Sequence, residues 1–398
     1  MKTVDWIVVG GGLAGSALGY ELTRVGFSVL LVEQHPTLQG ATRYSYGGIA
    51  YWSGHTDLTR QLCLEGIEIH RQLSAELEHD TQFRELDLLL TIAPDEDPTA
   101  IAATYTSCLI PPALISAETA CEMEPLLHKG AIAAALHVKH GHVDPERTVQ
   151  AYQQAMVHLG GTIKIAPVVS ILKTGDCIKG VVTPDETLTA AHVVICAGGL
   201  SRALLQANGI PVRCYFTHAE IVETPPLDLH LKTCVSPANL KRFPLEAEAG
   251  QATCDRLWEE PGHEIAPAVL DAGVFQFMDG RLRMGQISRV LTDPDALVDA
   301  VASETTIRDG VNYLLPVLKD VPGQWHHCLV AFSGDNLPLV GALPSLEGLY
   351  VFSGFSNPFA ILPPLARRFA RSFNGEGDRL LPLLAPNRFS LHSSDNNS

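Results

Sequence analysis

The sequence predicts an α/β protein. A parallel-sheet domain is assembled from separated segments, and an α+β domain with a mainly antiparallel sheet is inserted into it. Three observations carry this. The chain opens as strand, glycine-rich turn, helix and strand. A β-rich block fills residues 212–290, and a strand–glycine–helix unit returns near residue 350. A length of 398 residues suits two domains, and 46% hydrophobic residues supply their cores.

Residues 3–9 are a short β-branched run, read as a buried parallel strand. Residues 13–25 carry Leu13, Ala17, Leu18, Leu22 and Val25 at helical spacing, and Gly26 ends that helix. Residues 28–32 are the next strand and 34–52 read as loop. A long helix over 56–79 aligns Leu58, Leu62, Ile69, Leu73 and Leu77, and a strand follows at 86–92. A helix over 146–159 closes at Gly160-Gly161, with strands in 162–173 and 191–196. Within the β-rich block, Asp279-Gly280 marks a hairpin. Residues 297–318 read as helical, 349–353 as a strand and 360–373 as a helix that Pro363 and Pro364 should kink or reset. The final stretch, 386–398, has no core-forming pattern and is expected to be a flexible tail.

Composition excludes several classes. With 28 basic against 44 acidic residues the net charge is −16, which argues against binding to nucleic acid or an anionic membrane. No run of 18 apolar residues exists, so no membrane-spanning helix is expected, and the opening run does not read as a signal peptide. Nine scattered cysteines without a C-x-x-C pair fit a reducing cytoplasm. His137, His140 and His142 are spaced irregularly for ligation from one face, and adjacent His326 and His327 point oppositely on a strand, so no metal site is expected.

The strongest motif is Gly10-Gly11-Gly12-Leu13-Ala14-Gly15, placed between a strand and a helix. Gly10 permits the tight turn, Gly12 lets the backbone approach a pyrophosphate, and Gly15 lets helix and strand pack closely. The helix start offers N–H groups and partial positive charge to the phosphates. Glu33, closing the second strand and followed by Gln34, can accept from ribose hydroxyls. This is a Rossmann-type dinucleotide signature. The motif alone does not separate FAD from NAD, although its position at residue 10 and Gly19 lean towards FAD.

Further segments, in order, resemble the D-amino-acid oxidase and glycine oxidase superfamily of FAD-dependent oxidoreductases. They are Gly40-Ala41-Thr42-Arg43-Tyr44-Ser45-Tyr46-Gly47-Gly48-Ile49, His142-Val143-Asp144-Pro145, Pro167-Val168-Val169, residues 193–201 with Ala197-Gly198, Asn336-Leu337-Pro338-Leu339-Val340-Gly341, and residues 349–354 ending at Gly354. The resemblance implies a Rossmann-type FAD-binding domain from 1–80, 145–211 and 325–385, and a substrate domain from 81–144 and 212–324. It implies noncovalent FAD held by Gly10, Gly12, Leu13, Ala14, Gly15, Glu33, Gln34, Thr42, Arg43, Ser45, Gly47, Gly48, Ile49, Val168, Ala197, Gly198 and Gly354. The helix start Phe355, Ser356, Asn357, Phe359, Ala360 and Ile361 would lie along the flavin edge. The implied chemistry is oxidation of an amine or amino acid by hydride transfer to the flavin, with oxygen or a quinone or carrier as electron acceptor.

Two departures matter. The family usually places a carboxylate-gripping arginine shortly before the segment matching 336–341, and residues 329–336 contain none. Pro358 and Phe359 stand where small glycines are usual, and Pro358 lacks an N–H. Arg43, Arg281, Arg283 and Arg289 are candidate replacement cations. Tyr44, Tyr46, Tyr51 and Trp52 are candidate pocket walls. Tyr51, His218, Gln276, Met278 and Arg283 are candidate substrate contacts. Two other readings stay open: an FAD dehydrogenase of a 2-hydroxy acid or polyol, and a non-catalytic FAD-binding assembly factor.

Overall fold

The computed structural model describes residues 3–344 and 346–390. In chain order it contains β1 (Val4–Val9), α1 (Leu13–Arg24), β2 (Val29–Glu33), α2 (Asp57–Glu76), β3 (Arg84–Ile92), β4 (Ala134–His142), α3 (Pro145–His158), β5 (Thr162–Ile165) and β6 (Thr187–Ile195). There follow β7 (Cys214–Glu223), β8 (Cys234–Pro237), α4 (Arg242–Ala249), β9 (Glu264–Gln276), β10 (Leu282–Leu291), α5 (Ala300–Leu314), β11 (Gln324–Ser333), β12 (Leu339–Ala342), β13 (Leu349–Ser353) and α6 (Pro358–Ser372).

Along its main path the first sheet runs β12-β13-β6-β1-β2-β5, parallel except at β12, and the hairpin of Ser170–Thr174 and Cys177–Val182 joins β6 antiparallel. Its strands bury both faces. Trp6 and Val8 meet Leu18, Phe352 and Phe369 on one side, while Ile7 and Val9 meet Val193, Ile195 and Val351 on the other. That explains a continuous apolar run in place of alternation. The second sheet runs β11-β7-β10-β9-β8-β3-β4 and ends in the two-residue strand Gly48–Ile49. It is antiparallel apart from β8 beside β3. One face packs on α5 through Val274, Met284, Ile287, Ile307 and Val311.

Four expectations change. The 34–52 region, read as loop, holds a helical turn at Ala41–Tyr44 and the strand Gly48–Ile49, which pairs with His142 and Gly141. The β-rich block holds α4, whose short apolar pattern was hidden between strands. β11 pairs with β7 along its length, so residues 325–333 complete the second sheet. Finally, α6 runs unbroken through Pro363 and Pro364. The carbonyl that Pro363 leaves free, Phe359 O, accepts from His70 Nε2 at 2.7 Å. The one left by Pro364, Ala360 O, faces Gly66, where any side chain would collide with it. Of the expected tail, Pro386–Ser390 forms a 3₁₀ turn, with Arg388 paired to Asp335 at 2.8 Å; residues 391–398 lie outside the described residues.

Candidate cofactor cradle and active-site cavity

The glycine turn is built as its spacing requires. Gly10 has φ +108°, and a Cβ there would meet Cys196 O at 2.6 Å. A Cβ on Gly15 would run into Gly10 O, so β1 and α1 can approach only through glycine. Gly12, by contrast, faces Thr42 Oγ1 alone within 4 Å, leaving open space at the helix start. Thr42 Oγ1 accepts from Leu13 N at 3.1 Å and ties the second loop to the first. Glu33 Oε2 accepts from Gly11 N at 2.6 Å and Oε1 from His35 N at 3.0 Å, which fixes a carboxylate at the end of β2. These features fit a dinucleotide: an open backbone turn, free helix N–H groups and an oriented acid.

A cavity of about 300 Å³ opens beside this turn. Leu13, Ala14, Thr42, Ser45, Gly48, Gly198, Gly354, Phe355, Ser356, Asn357 and Phe359, all expected at the cofactor, line it. Arg43 instead donates to Glu223 at 2.8 and 2.9 Å. Gly10, Gly12, Gly15 and Glu33 shape the turn behind it, and Ala197 packs against the second core. Gly47 abuts Val143 O, Ile49, Ala360 and Ile361 are buried in the first core, Val168 is half-buried, and Gln34 is exposed.

The far wall is the second sheet: Ala219 and Ile221 of β7, Phe275 of β9, Gln286 of β10, and Cys328 to Ala331 of β11. Tyr44 and Tyr46 also line it, whereas Tyr51 and Trp52 do not. The five candidate substrate contacts lie elsewhere. His218 and Gln276 are one residue away from Ala219 and Phe275, and strand alternation turns them to the opposite face. His218 Nδ1 pairs with His327 Nε2 at 2.8 Å. Gln276 serves Leu229 O and Leu231 N. Met278 is 58% exposed in the hairpin turn, and Tyr51 donates to Glu85 at 3.3 Å. Arg283, fully buried, donates to Glu223 at 2.7 Å; Arg281 pairs with Asp144 at 2.9 Å and Arg289 with Glu220 at 2.6 Å.

Sequence reasoning missed Arg242 and Gln286, and weighed His140 only as a metal ligand. Arg242 opens α4 and reaches the cavity, and a lysine–arginine pair ahead of an apolar stretch was its only signal. His140 Nδ1 accepts from Trp52 Nε1 at 3.1 Å, which leaves Nε2 carrying the proton and no partner. Burial pushes this imidazole down to about 3, so the ring is neutral. At the third wall, α6 begins with Pro358, and its first N–H groups lack intrahelical acceptors. A larger surface groove, about 610 Å³, lies between α2 and α6, but its Arg368 is paired with Glu65 and Asp378 and it shares no lining residue with the glycine turn.

The family model of the DAO group, described as FAD dependent oxidoreductase, matches residues 5–372. The chain belongs to the DAO family of FAD-dependent oxidoreductases. The mitochondrial dimethylglycine dehydrogenase of Homo sapiens is 27% identical over 212 residues, covering 52% of this chain and 24% of that protein. The mitochondrial pyruvate dehydrogenase phosphatase regulatory subunit of Mus musculus is 23% identical over 366 residues, covering 88% and 39%. The chain thus spans well under half the length of these two relatives. The glycine oxidase structure from Geobacillus kaustophilus superposes with a TM-score of 0.80 at 20% identity, covering 98% of this chain and 99% of that one. FAD is the cofactor of this DAO-family fold, and the turn, acid and cavity described above accommodate it. Among the described residues no helix is long and apolar enough to cross a membrane, and no cluster of three or more metal-ligating side chains occurs.

Proposed function

We propose that the chain oxidises a small amine or amino acid with noncovalently held FAD. When bound, the cofactor supplies a hydride acceptor for the carbon bearing nitrogen, and water then hydrolyses the resulting imine. The chain's own contribution is a dry, shaped cavity. Ile221, Phe275, Phe355, Phe359 and Leu362 line it with apolar surface that disfavours water. The neutral His140 offers an N–H and accepts no charge. The start of α6 turns its positive end towards the cavity and would favour negative charge placed there. Leu13, Ala14, Thr42 and Gly354 would hold the cofactor's phosphate and ring portions.

The observation that carries the reading is that the glycine turn and the second sheet share one aromatic-lined cavity. Dimethylglycine dehydrogenase and glycine oxidase, similar to this chain, are named for amine-bearing substrates. The unpaired cysteines support a cytoplasmic setting, with oxygen or a quinone or carrier as the final acceptor.

Anaerobic mixing with amines and amino acids should bleach the yellow holoprotein. Bleaching only by 2-hydroxy acids or polyols would move the reading to a dehydrogenase of those compounds. The likeness to a phosphatase regulatory subunit over 88% of the chain favours a second reading, a non-catalytic FAD-binding assembly factor. Tight FAD binding with no reduction by any of these compounds would select it.

A further inference from the structure

We propose that the Gln286 carboxamide, turned into the cavity by a bulge in β10, accepts an N–H of the substrate amine through Oε1, so that the cavity selects amines that carry an N–H when uncharged. This rests on the reading above and names the substrate class of the same cavity.

The bulge decides where this side chain points. Glu220 of β7 pairs with Ile287 and Ile221 with Gly285, so Gln286 has no residue opposite it. Ile221, facing Gly285, lines the cavity, whereas Ile287 packs under α5 on the far side of the sheet. Strict alternation from Gly285 would send Gln286 to that far side. The extra residue leaves Gln286 on the cavity wall and returns Ile287 to the α5 face. Gly285 permits the distortion: its φ is +133°, and a Cβ there would meet Glu220 O at 3.1 Å.

The carboxamide is oriented. Its Nε2 donates to Oγ of the fully buried Ser288 at 2.9 Å. Its Oε1 accepts from no group among the described residues, yet it is not sealed off as the Tyr46 hydroxyl, Ser356 Oγ and His140 Nε2 are. The surrounding lining is rich in donors and poor in free acceptors. It holds Arg242 and the Nε2–H of His140, and no aspartate or glutamate among the described residues. His140 Nδ1 is taken by Trp52, Thr42 Oγ1 by Leu13 N, and Ser45 Oγ by Gly47 N. Asn357, the other carboxamide of the lining, stands at the start of α6, on the wall assigned to the cofactor.

An uncharged acceptor suits the reaction. The neighbouring C–H leaves as hydride, with its electron pair, for the bound acceptor. The nitrogen lone pair becomes the C=N bond, and a protonated imine remains. Its N–H is more polar than that of the amine, so the bond to Oε1 strengthens as the reaction proceeds. A carboxylate at the same place would hold the amine as ammonium and withhold the lone pair. A fully substituted neutral amine offers Oε1 nothing and leaves it unpaired in an apolar wall.

The first test is a titration of the flavin spectrum of the holoprotein with 2-aminoisobutyrate and with pivalate. These probes are isosteric, differ only in amino against methyl, and carry no hydrogen on the reacting carbon. The amine should bind about tenfold more tightly. Gln286→Leu should bring it down to pivalate and leave pivalate unchanged; if that variant purifies without FAD, Gln286→Met takes its place. Gln286→Glu should bind the amine at least as tightly as wild type and move the pH dependence of bleaching by sarcosine to higher pH. Sarcosine should bleach the flavin faster than N,N-dimethylglycine, and Gln286→Leu should remove the difference. Equal affinities in wild type, a preference that survives Gln286→Leu, or no binding of either probe would overturn the acceptor. So would loss of the preference in Gln286→Glu, which would show that the amide presents its N–H groups to the cavity. Bleaching by amines at rates that Gln286→Leu does not change sinks the acceptor and leaves the amine reading intact. A Gln286-dependent preference in a protein that no amine bleaches does the reverse.

Discussion

His70 of α2 hydrogen-bonds the carbonyl of Phe359 in α6 at 2.7 Å, supplying the donor that Pro363 cannot. The bond is fully buried and joins the two helices behind the cavity. It satisfies the carbonyl that the internal proline would leave bare in a continuous helix whose Phe359 lines the cavity.

His70→Leu should therefore leave a buried carbonyl unsatisfied and cost about 2 kcal/mol of unfolding free energy. Pro363→Ala restores an N–H at the right position, so the same His70 substitution should cost clearly less in that background. Urea unfolding of the four proteins closes the cycle. An identical penalty in both backgrounds would show that His70 acts by packing alone.

Burial pushes the imidazole of His70 down to about 4, against a smaller opposing effect of the Phe359 carbonyl, and that of His140 to about 3. Both are neutral in the folded chain, while the unfolded chain binds their protons near pH 6.5. The unfolded state then holds more protons between about pH 4 and 6.5, so stability rises with pH across that window. For His70 the loss on acidification is on the order of 3 kcal/mol, and it should vanish from the pH profile of His70→Leu. A profile of the same slope in wild type and variant would contradict this assignment.

Glu223 gathers Arg43, Arg281 and Arg283 from a helical turn and a hairpin. Burial works against its ionisation, but hydrogen bonds and charge from Arg43 and Arg283 outweigh it and hold the carboxyl at about 2. Its contribution is complete above about pH 4.5 and is lost as pH falls towards 2. Glu223→Gln strands the buried Arg283 and should cost about 3 to 5 kcal/mol by denaturant unfolding at pH 7. A loss under 1 kcal/mol would mean the arginines find other partners.

The cofactor side was legible because its signals are backbone signals. Gly10 and Gly15 are required by contacts with Cys196 O and Gly10 O, and no neighbouring side chain has to be known. The substrate side depends on strand parity, and one residue decides it. His218 and Gln276 were named where Ala219 and Phe275 face the cavity. Parity along this sheet cannot be carried from strand to strand, because β10 bulges at Gln286, an extra residue opposite the Glu220–Ile221 step of β7. Arg242 was hidden for another reason: α4 is two turns long, too short for its period to stand out among strands.

Gly12→Val separates cofactor binding from folding. Its Cβ position meets only the Thr42 hydroxyl, at 3.2 Å, and its φ of −70° suits any residue. The variant should fold with near wild-type stability and purify colourless, because the branched side chain fills the space of the pyrophosphate. Gly15→Val, which strikes Gly10 O, should instead fail to fold. A yellow Gly12→Val protein would place the dinucleotide elsewhere.

Cys328 supplies the thiol that lines the cavity, where a thiolate could attack a bound flavin. Burial pushes that thiol up to about 12, with Arg283 and Arg242 opposing only weakly. A thiol so protonated at neutral pH is a poor nucleophile, so attachment to the flavin ring is not favoured. Acid precipitation of the holoprotein should then release the yellow colour to the supernatant. Cys328→Ser should bind FAD as wild type does, because a neutral thiol and a hydroxyl differ little in size. A pellet that stays yellow in wild type and turns white in Cys328→Ser would establish a thioether at this position and overturn noncovalent binding.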